Sequence, residues 1–154
     1  MTPTTKKRLR VALIAIVVLL VIAQFVQNNS NNGEAASPND ITHAVAVPPT
    51  VLQTLQTSCY DCHSNHTNYP WYAHIQPTGW WLNNHITDGK RELNFSEFNT
   101  YTTKRKNKKL EEIAEQVEKG EMPLDSYLWI HRDAKLTKAQ ANELINWAKS
   151  TKAL

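Results

Sequence analysis

Pro49-Thr50-Val51-Leu52-Gln53-Thr54-Leu55-Gln56-Thr57-Ser58 leads directly into Cys59-Tyr60-Asp61-Cys62-His63, and this stretch anchors the reading of the whole chain. Val51, Leu52 and Leu55 form a short apolar stripe behind a proline suited to a first helical turn, so the segment reads as a helix delivering two cysteines and a histidine. Outward from it the periods stay helical. Pro77 and Thr78 precede Gly79-Trp80-Trp81-Leu82, a predicted helix closed by Gly89. Asn94 or Ser96 caps a short helix carrying Phe98 and Tyr101. Leu110, Ile113, Ala114 and Val117 stand at i, i+3, i+4 and i+7, with Gly120 placed to end that helix in the left-handed conformation. Thr137 and Gln140 make a capping box, and Ala141, Leu144, Ile145 and Ala148 repeat the stripe toward the C-terminus. No run of alternating β-branched residues is long enough for a sheet. The fold class is all-α: short helices over residues 50–154, a thin core that needs something else to fill it.

The cysteine pair supplies a candidate filler. Two thiols three positions apart in a turn can each form a thioether to one of the two vinyl groups of a single porphyrin. His63, next in the chain, is then held against one face of the ring as the proximal nitrogen ligand to iron. This is the C-x-x-C-H pattern of covalent haem c attachment, with Cys59 and Cys62 as the covalent positions. Three other readings compete. A redox C-x-x-C belongs to a βαβ setting, which is missing. A structural zinc site needs a second ligand pair, and the chain has only two Cys. A disulfide across so short a loop gains little loop entropy.

The second axial ligand comes from a short inventory. Met122 is the only Met after Met1, and it lies in Gly120-Glu121-Met122-Pro123 directly after a predicted helix end. Pro123 favours an extended backbone there, which lets the thioether turn inward; the alternative is that Met122 merely fills a gap in the core. His85, on the predicted helix after Trp80-Trp81, is the alternative distal ligand. His66 is too close in sequence to His63 to reach the opposite face, His74 and His131 read as surface or supporting residues, and His43 as solvated. Tyr69, Trp71, Tyr72, Trp80 and Trp81 offer flat faces with polar tips, as walls of a haem crevice or as ordinary core. Lys90 and Arg91 could pair with propionates.

The N-terminus carries a different signal. Val11 to Val26 holds fifteen apolar residues and Gln24, preceded by Lys6, Lys7, Arg8 and Arg10. Sixteen residues at 1.5 Å rise give roughly 24 Å of helix, short of the roughly 30 Å hydrocarbon core, so the segment spans only with snorkelling flanks or local thinning. A cleavable signal peptide would place small residues soon after the apolar run, but Gln27, Asn28 and Asn29 follow. The expectation is an uncleaved single-pass anchor over 11–26, with residues 1–10 as a cytoplasmic basic flank and the remainder outside, in the periplasm of a bacterial inner membrane. Residues 27–49, rich in Asn with Ser37-Pro38 and Pro48-Pro49, read as a polar tether.

With the four N-terminal cations set aside, 13 Lys/Arg face 14 Asp/Glu, so the basicity is a topology signal and not a nucleic-acid one. Lys104, Arg105, Lys106, Lys108 and Lys109 form the strongest remaining cluster, read either as a docking patch for an acidic redox partner or as a solvated helix start beside Glu111, Glu112 and Glu115.

The stretch from Cys59 through Ser64-Asn65-His66-Thr67-Asn68-Tyr69-Pro70-Trp71-Tyr72, followed by Gln76-Pro77, Gly89-Lys90-Arg91, Leu93-Asn94-Phe95-Ser96, Glu121-Met122-Pro123-Leu124, Ser126-Tyr127, His131 and Leu136-Thr137, resembles a small bacterial family of membrane-anchored, exported, single-haem "haem-binding domain" proteins. The likeness covers about residues 48 to 150. It implies a cytochrome c-like domain around one haem, with Cys59, Cys62 and His63 carried over directly and Met122 as the distal ligand. The resemblance supplies neither substrate nor redox partner. Two functions then stand side by side: an electron-transfer cytochrome without acid/base catalysis, and a five-coordinate haem gas sensor or peroxidase-like enzyme using His85 or His131.

Overall fold

The computed structural model describes residues 2–153. Its α-helices are α1 (Pro3–Ala23), α2 (Ile41–Ala44), α3 (Pro49–Ser58), α4 (Tyr60–His63), α5 (Thr78–Glu92), α6 (Thr103–Glu118), α7 (Asp125–Leu128) and α8 (Lys138–Ser150), joined by 3₁₀ turns at Trp71–His74, Phe95–Thr100 and Arg132–Ala134. No strand occurs among the described residues, and the all-α expectation holds. The chain divides into two compact units. One comprises the residues up to Ser30 with Tyr69–His85, the other Asn31–Asn68 with the chain from Ile86 onward.

In the first unit α1 begins at Pro3, so Lys6, Lys7, Arg8 and Arg10 lie inside the helix and not ahead of it. The expected anchor over 11–26 is shortened at its far end as well, because the helix stops at Ala23 and Gln24 is its C-cap. No helix among the described residues is long and apolar enough to cross a membrane. Gln24 ends the helix by pairing with the 71–85 segment. Its Nε2 donates to the Gln76 carbonyl at 3.0 Å, and the Gln76 N–H donates to Gln24 Oε1 at 2.9 Å.

The second unit holds the core, where Ile41, Val51, Leu55, Phe95, Phe98, Leu110 and Leu144 are essentially inaccessible. Each such side chain contributes roughly 1.5–3 kcal/mol by leaving water. The periodic stripes of α6 and α8 face this core, and the Thr137/Gln140 capping box forms as expected. Asn94 caps its turn through Oδ1, accepting from Ser96 N–H at 3.1 Å.

Within residues 27–49, read from the sequence as a tether, the stretch from Ala35 to Val45 makes specific contacts. Asp40 caps α2, whose Ile41 is fully buried, and accepts the Tyr60 hydroxyl at 2.8 Å. Ser96 Oγ donates to the Ala35 carbonyl at 2.6 Å while accepting the Asn65 amide at 3.0 Å, and Ser37 Oγ donates to the Ser96 carbonyl. Ser37, Asp40, Ile41 and Val45 are thus buried in a segment whose other residues are mostly exposed.

Candidate functional site

The site grows from three local structures. The first is the C-x-x-C-H segment. Cys59 caps α3, its N–H bonded to the Leu55 carbonyl at 2.9 Å, and α4 turns immediately so that Cys59 O receives the N–H groups of Cys62 and His63 at 3.2 and 3.0 Å. No disulfide joins the two cysteines. Burial pushes the Cys59 thiol up to about 12 and the Cys62 thiol up to about 11, with Cys62 and Asp61 respectively adding to the effect.

The second is the end of α5. The helix was expected to close at Gly89, but it continues to Glu92, and Gly89 has an ordinary negative φ. Glycine stands there because of proximity: a Cβ at Gly89 would meet the Cys62 carbonyl oxygen at 2.8 Å. This approach brings the carbonyls of Gly89 and Leu93 each within 3.0 Å of His63 Nδ1. Carbonyls only accept, so Nδ1 carries the proton and Nε2 keeps its lone pair. Burial holds the imidazole below its usual pKa, the two carbonyls oppose that shift, and the Lys109 charge reinforces it, leaving the neutral form a metal needs.

The third is the turn after α6. Gly120 has φ +70°, the Glu121 N–H bonds Gln116 O at 2.9 Å and the Gly120 N–H bonds Val117 O at 3.1 Å. This is a Schellman termination, as the sequence predicted. It swings Met122 back beside Gln116 and Val117.

All three meet at a cavity of about 380 Å³, within the roughly 300–1,000 Å³ of ligand sites. Cys59, His63 and Met122 line it together, with Leu55, Leu93, Phe95, Ile113, Val117 and Leu144 as apolar walls and Glu92, Lys109 and Glu112 as its charged members. Lys109 Nζ bonds Glu112 at 2.6 Å. Cys62 lies one turn from Cys59 and outside the lining. His85 is not in the lining either: it belongs to the first unit, where its Nδ1 meets the Trp81 carbonyl at 2.9 Å. Nor is His131, whose ring stacks on Tyr127 at 4.2 Å.

Other expectations are corrected here. Tyr69, Trp71, Tyr72, Trp80 and Trp81 line no part of this cavity, which takes its aromatic wall from Phe95, stacked on Tyr60 at 5.0 Å and edge-on to His63 at 6.2 Å. Lys90 is held by Asn31 Oδ1 at 2.6 Å and Arg91 by Asp88 at 2.8 Å, so both cations have protein partners. In the basic cluster, Lys106 is buried on Asn99, Arg105 lies over the Tyr101 ring at 4.0 Å, and Lys108 and Lys109 pair with Glu112. Sequence reading also missed Asp61. Its carboxylate accepts the Tyr127 hydroxyl at 2.8 Å and the Asn68 amide at 3.0 Å, tying the cysteine turn to the helix that follows the Met122 loop.

Among the described residues no group of three or more His, Cys, Asp or Glu side chains could hold a metal ion. A family model described as "Haem-binding domain" matches residues 18–150. The chain belongs to the haem-binding domain family. Membership makes haem the cofactor, and the cavity fits it: a thiol, an imidazole with Nε2 unoccupied, a thioether and apolar walls are the donor set a haem pocket requires. No curated protein and no solved structure matches the chain.

Proposed function

We propose that this haem-binding protein is an electron-transfer cytochrome c, with Cys59 and Cys62 forming the thioethers, His63 as proximal ligand and Met122 as distal ligand. One observation carries the reading: His63, its Nδ1 committed to the Gly89 and Leu93 carbonyls, and Met122 line the same apolar cavity as Cys59. The bound haem would supply the ferrous/ferric couple. The chain's part would be to hold His63 neutral and oriented, to present a thioether to the same cavity, and to exclude water with Leu55, Phe95, Ile113 and Leu144. His85 and His131, the acid/base candidates of the sensor or peroxidase reading, stand outside this lining, which favours a carrier over an enzyme. The redox partner is a separate protein.

The same proposal includes anchoring to a bacterial inner membrane through α1, basic end inside, with the haem domain in the periplasm. The exposed run Val11–Ile22 and the cations Lys6 to Arg10 support it.

Mass spectrometry of denatured protein from cells competent for cytochrome c maturation should give polypeptide plus one haem; a bare polypeptide mass would overturn covalent attachment. The ferric protein should show a sulfur-to-iron charge-transfer band in the near infrared that disappears in Met122→Ala. Immediate carbon monoxide uptake by the ferrous wild type would assign Met122 to packing.

A further inference from the structure

Charged residues make up 20% of the chain, yet residues 24–30 and 69–85 contain no Asp, Glu, Lys or Arg. These segments hold rings and amides instead. Phe25 is 83% exposed, Trp71 76%, Ile75 47% and Trp81 44%. The segments are knit to each other within the first unit. Besides the reciprocal Gln24–Gln76 pair, Gln76 Nε2 donates to Gln27 Oε1 at 3.1 Å, Asn28 Nδ2 to the Gly79 carbonyl at 3.2 Å, and Trp80 Nε1 to the Val26 carbonyl at 2.8 Å. The 71–85 segment is thus fastened to the C-terminal end of α1, the end opposite its cations.

We propose that residues 24–30 and 69–85 form an interfacial collar that sits in the headgroup layer of a lipid bilayer, with Phe25, Trp71, Ile75 and Trp81 inserted among the lipids. The inference rests on the anchoring of α1 proposed above. The charge-free part of α1, Val11 to Ala23, gives about 20 Å of helix at 1.5 Å per residue, against roughly 30 Å of hydrocarbon. The basic flank can snorkel at one end. At the other end, a layer of Trp, Tyr and uncharged amides replaces the missing length, because such residues combine an apolar body with a polar tip and favour that depth. A protein partner would account for exposed rings, but protein interfaces carry a polar rim in which charges are common, and this surface has none.

The test uses the full haem-loaded chain with 5-fluorotryptophan, reconstituted into phosphatidylcholine vesicles, with and without lipid carrying a nitroxide near the top of the acyl chain. The Trp71 and Trp81 fluorine resonances, assigned through Trp71→Phe and Trp81→Phe, should be lost to broadening by the nitroxide lipid. The Trp147 resonance, 7% exposed in the second unit, should persist and reports that each variant is folded. Protein that resists carbonate extraction but keeps both resonances sharp, or loses them only to a water-soluble paramagnetic chelate, overturns the collar and leaves the anchor standing. Protection from both probes means that protein covers the surface, and also overturns it. Release by carbonate overturns the anchor and the collar together.

Discussion

Gly89→Ala puts the smallest possible side chain where α5 passes over the cysteine turn. Its Cβ would stand 2.8 Å from the Cys62 carbonyl oxygen and 3.3 Å from Cys62 Cβ, whereas ordinary contact starts at 3.4 Å. The obstructing oxygen is backbone and cannot rotate away. The end of α5 must therefore retreat by about 0.6 Å, stretching the two 3.0 Å contacts at His63 Nδ1 beyond good hydrogen-bond geometry. Overpacking costs about 1–3 kcal/mol and the weakened bonds about 1–3 kcal/mol, while replacing a helical glycine returns about 0.5–1 kcal/mol. A net loss near 3 kcal/mol lowers Tm by roughly 8–15 °C for a domain of this size. Thermal melts followed by circular dichroism measure it, and the haem Soret and near-infrared bands, read on the same samples, should move because His63 loses its orientation. Gly120→Ala is the matched control: with φ +70° and nothing within 4 Å of its Cβ, it pays only left-handed strain and should leave the spectra unchanged. A Gly89→Ala protein as stable as the parent with unaltered bands would refute the reasoning.

Tyr127→Phe removes the 2.8 Å bond to the Asp61 carboxylate; the variant should lose about 1.5–3 kcal/mol in denaturant titration, and an unchanged midpoint would make the contact incidental. Ile41→Ala should cost about 2–5 kcal/mol, because Ile41 is fully buried, whereas a tether residue would cost nothing measurable. In the haem-free chain the thiols of Cys59 and Cys62, pushed up to about 12 and about 11, stay protonated at about pH 9.5 when folded but are mostly ionised on unfolding. Alkylation of the folded chain should then be far slower than in denaturant. The stability these thiols contribute is complete below the unfolded pKa of about 8.5 and is lost as pH rises through the folded values; flat stability from pH 8 to 11 would contradict their burial.

What was legible in the chain was local. Gly120 and the Thr137/Gln140 box announce helix ends through chemistry confined to a few neighbours; Cys59 and Met122 stand out because Cys and Met number two each, while His63, one of six His, stands out only by adjoining Cys62. What was illegible depended on backbone atoms or single distant partners. The carbonyls of Gly89 and Leu93 have no side-chain signature, so their hold on His63 left no trace except the glycine itself. Ile41, Ala44 and Val45 stand at i, i+3 and i+4, a single turn too short to establish a period, although Ile41 and Val45 are buried. Phe95 is a single ring where Trp80 and Trp81 are larger and clustered, so bulk in the sequence points to the tryptophans, whereas the cavity takes its aromatic wall from Phe95.

His63 offers one N–H to two acceptors, and both are main-chain carbonyls. Were His63 and Met122 to hold the iron as proposed, that sharing would make the imidazole a stronger electron donor and favour the ferric state, against the thioether, which would favour the ferrous one. No side-chain substitution can delete a carbonyl. The two acceptors are thus beyond direct deletion and shift only where the backbone itself is displaced, as at Gly89, whereas Met122 and the apolar walls can be exchanged one side chain at a time.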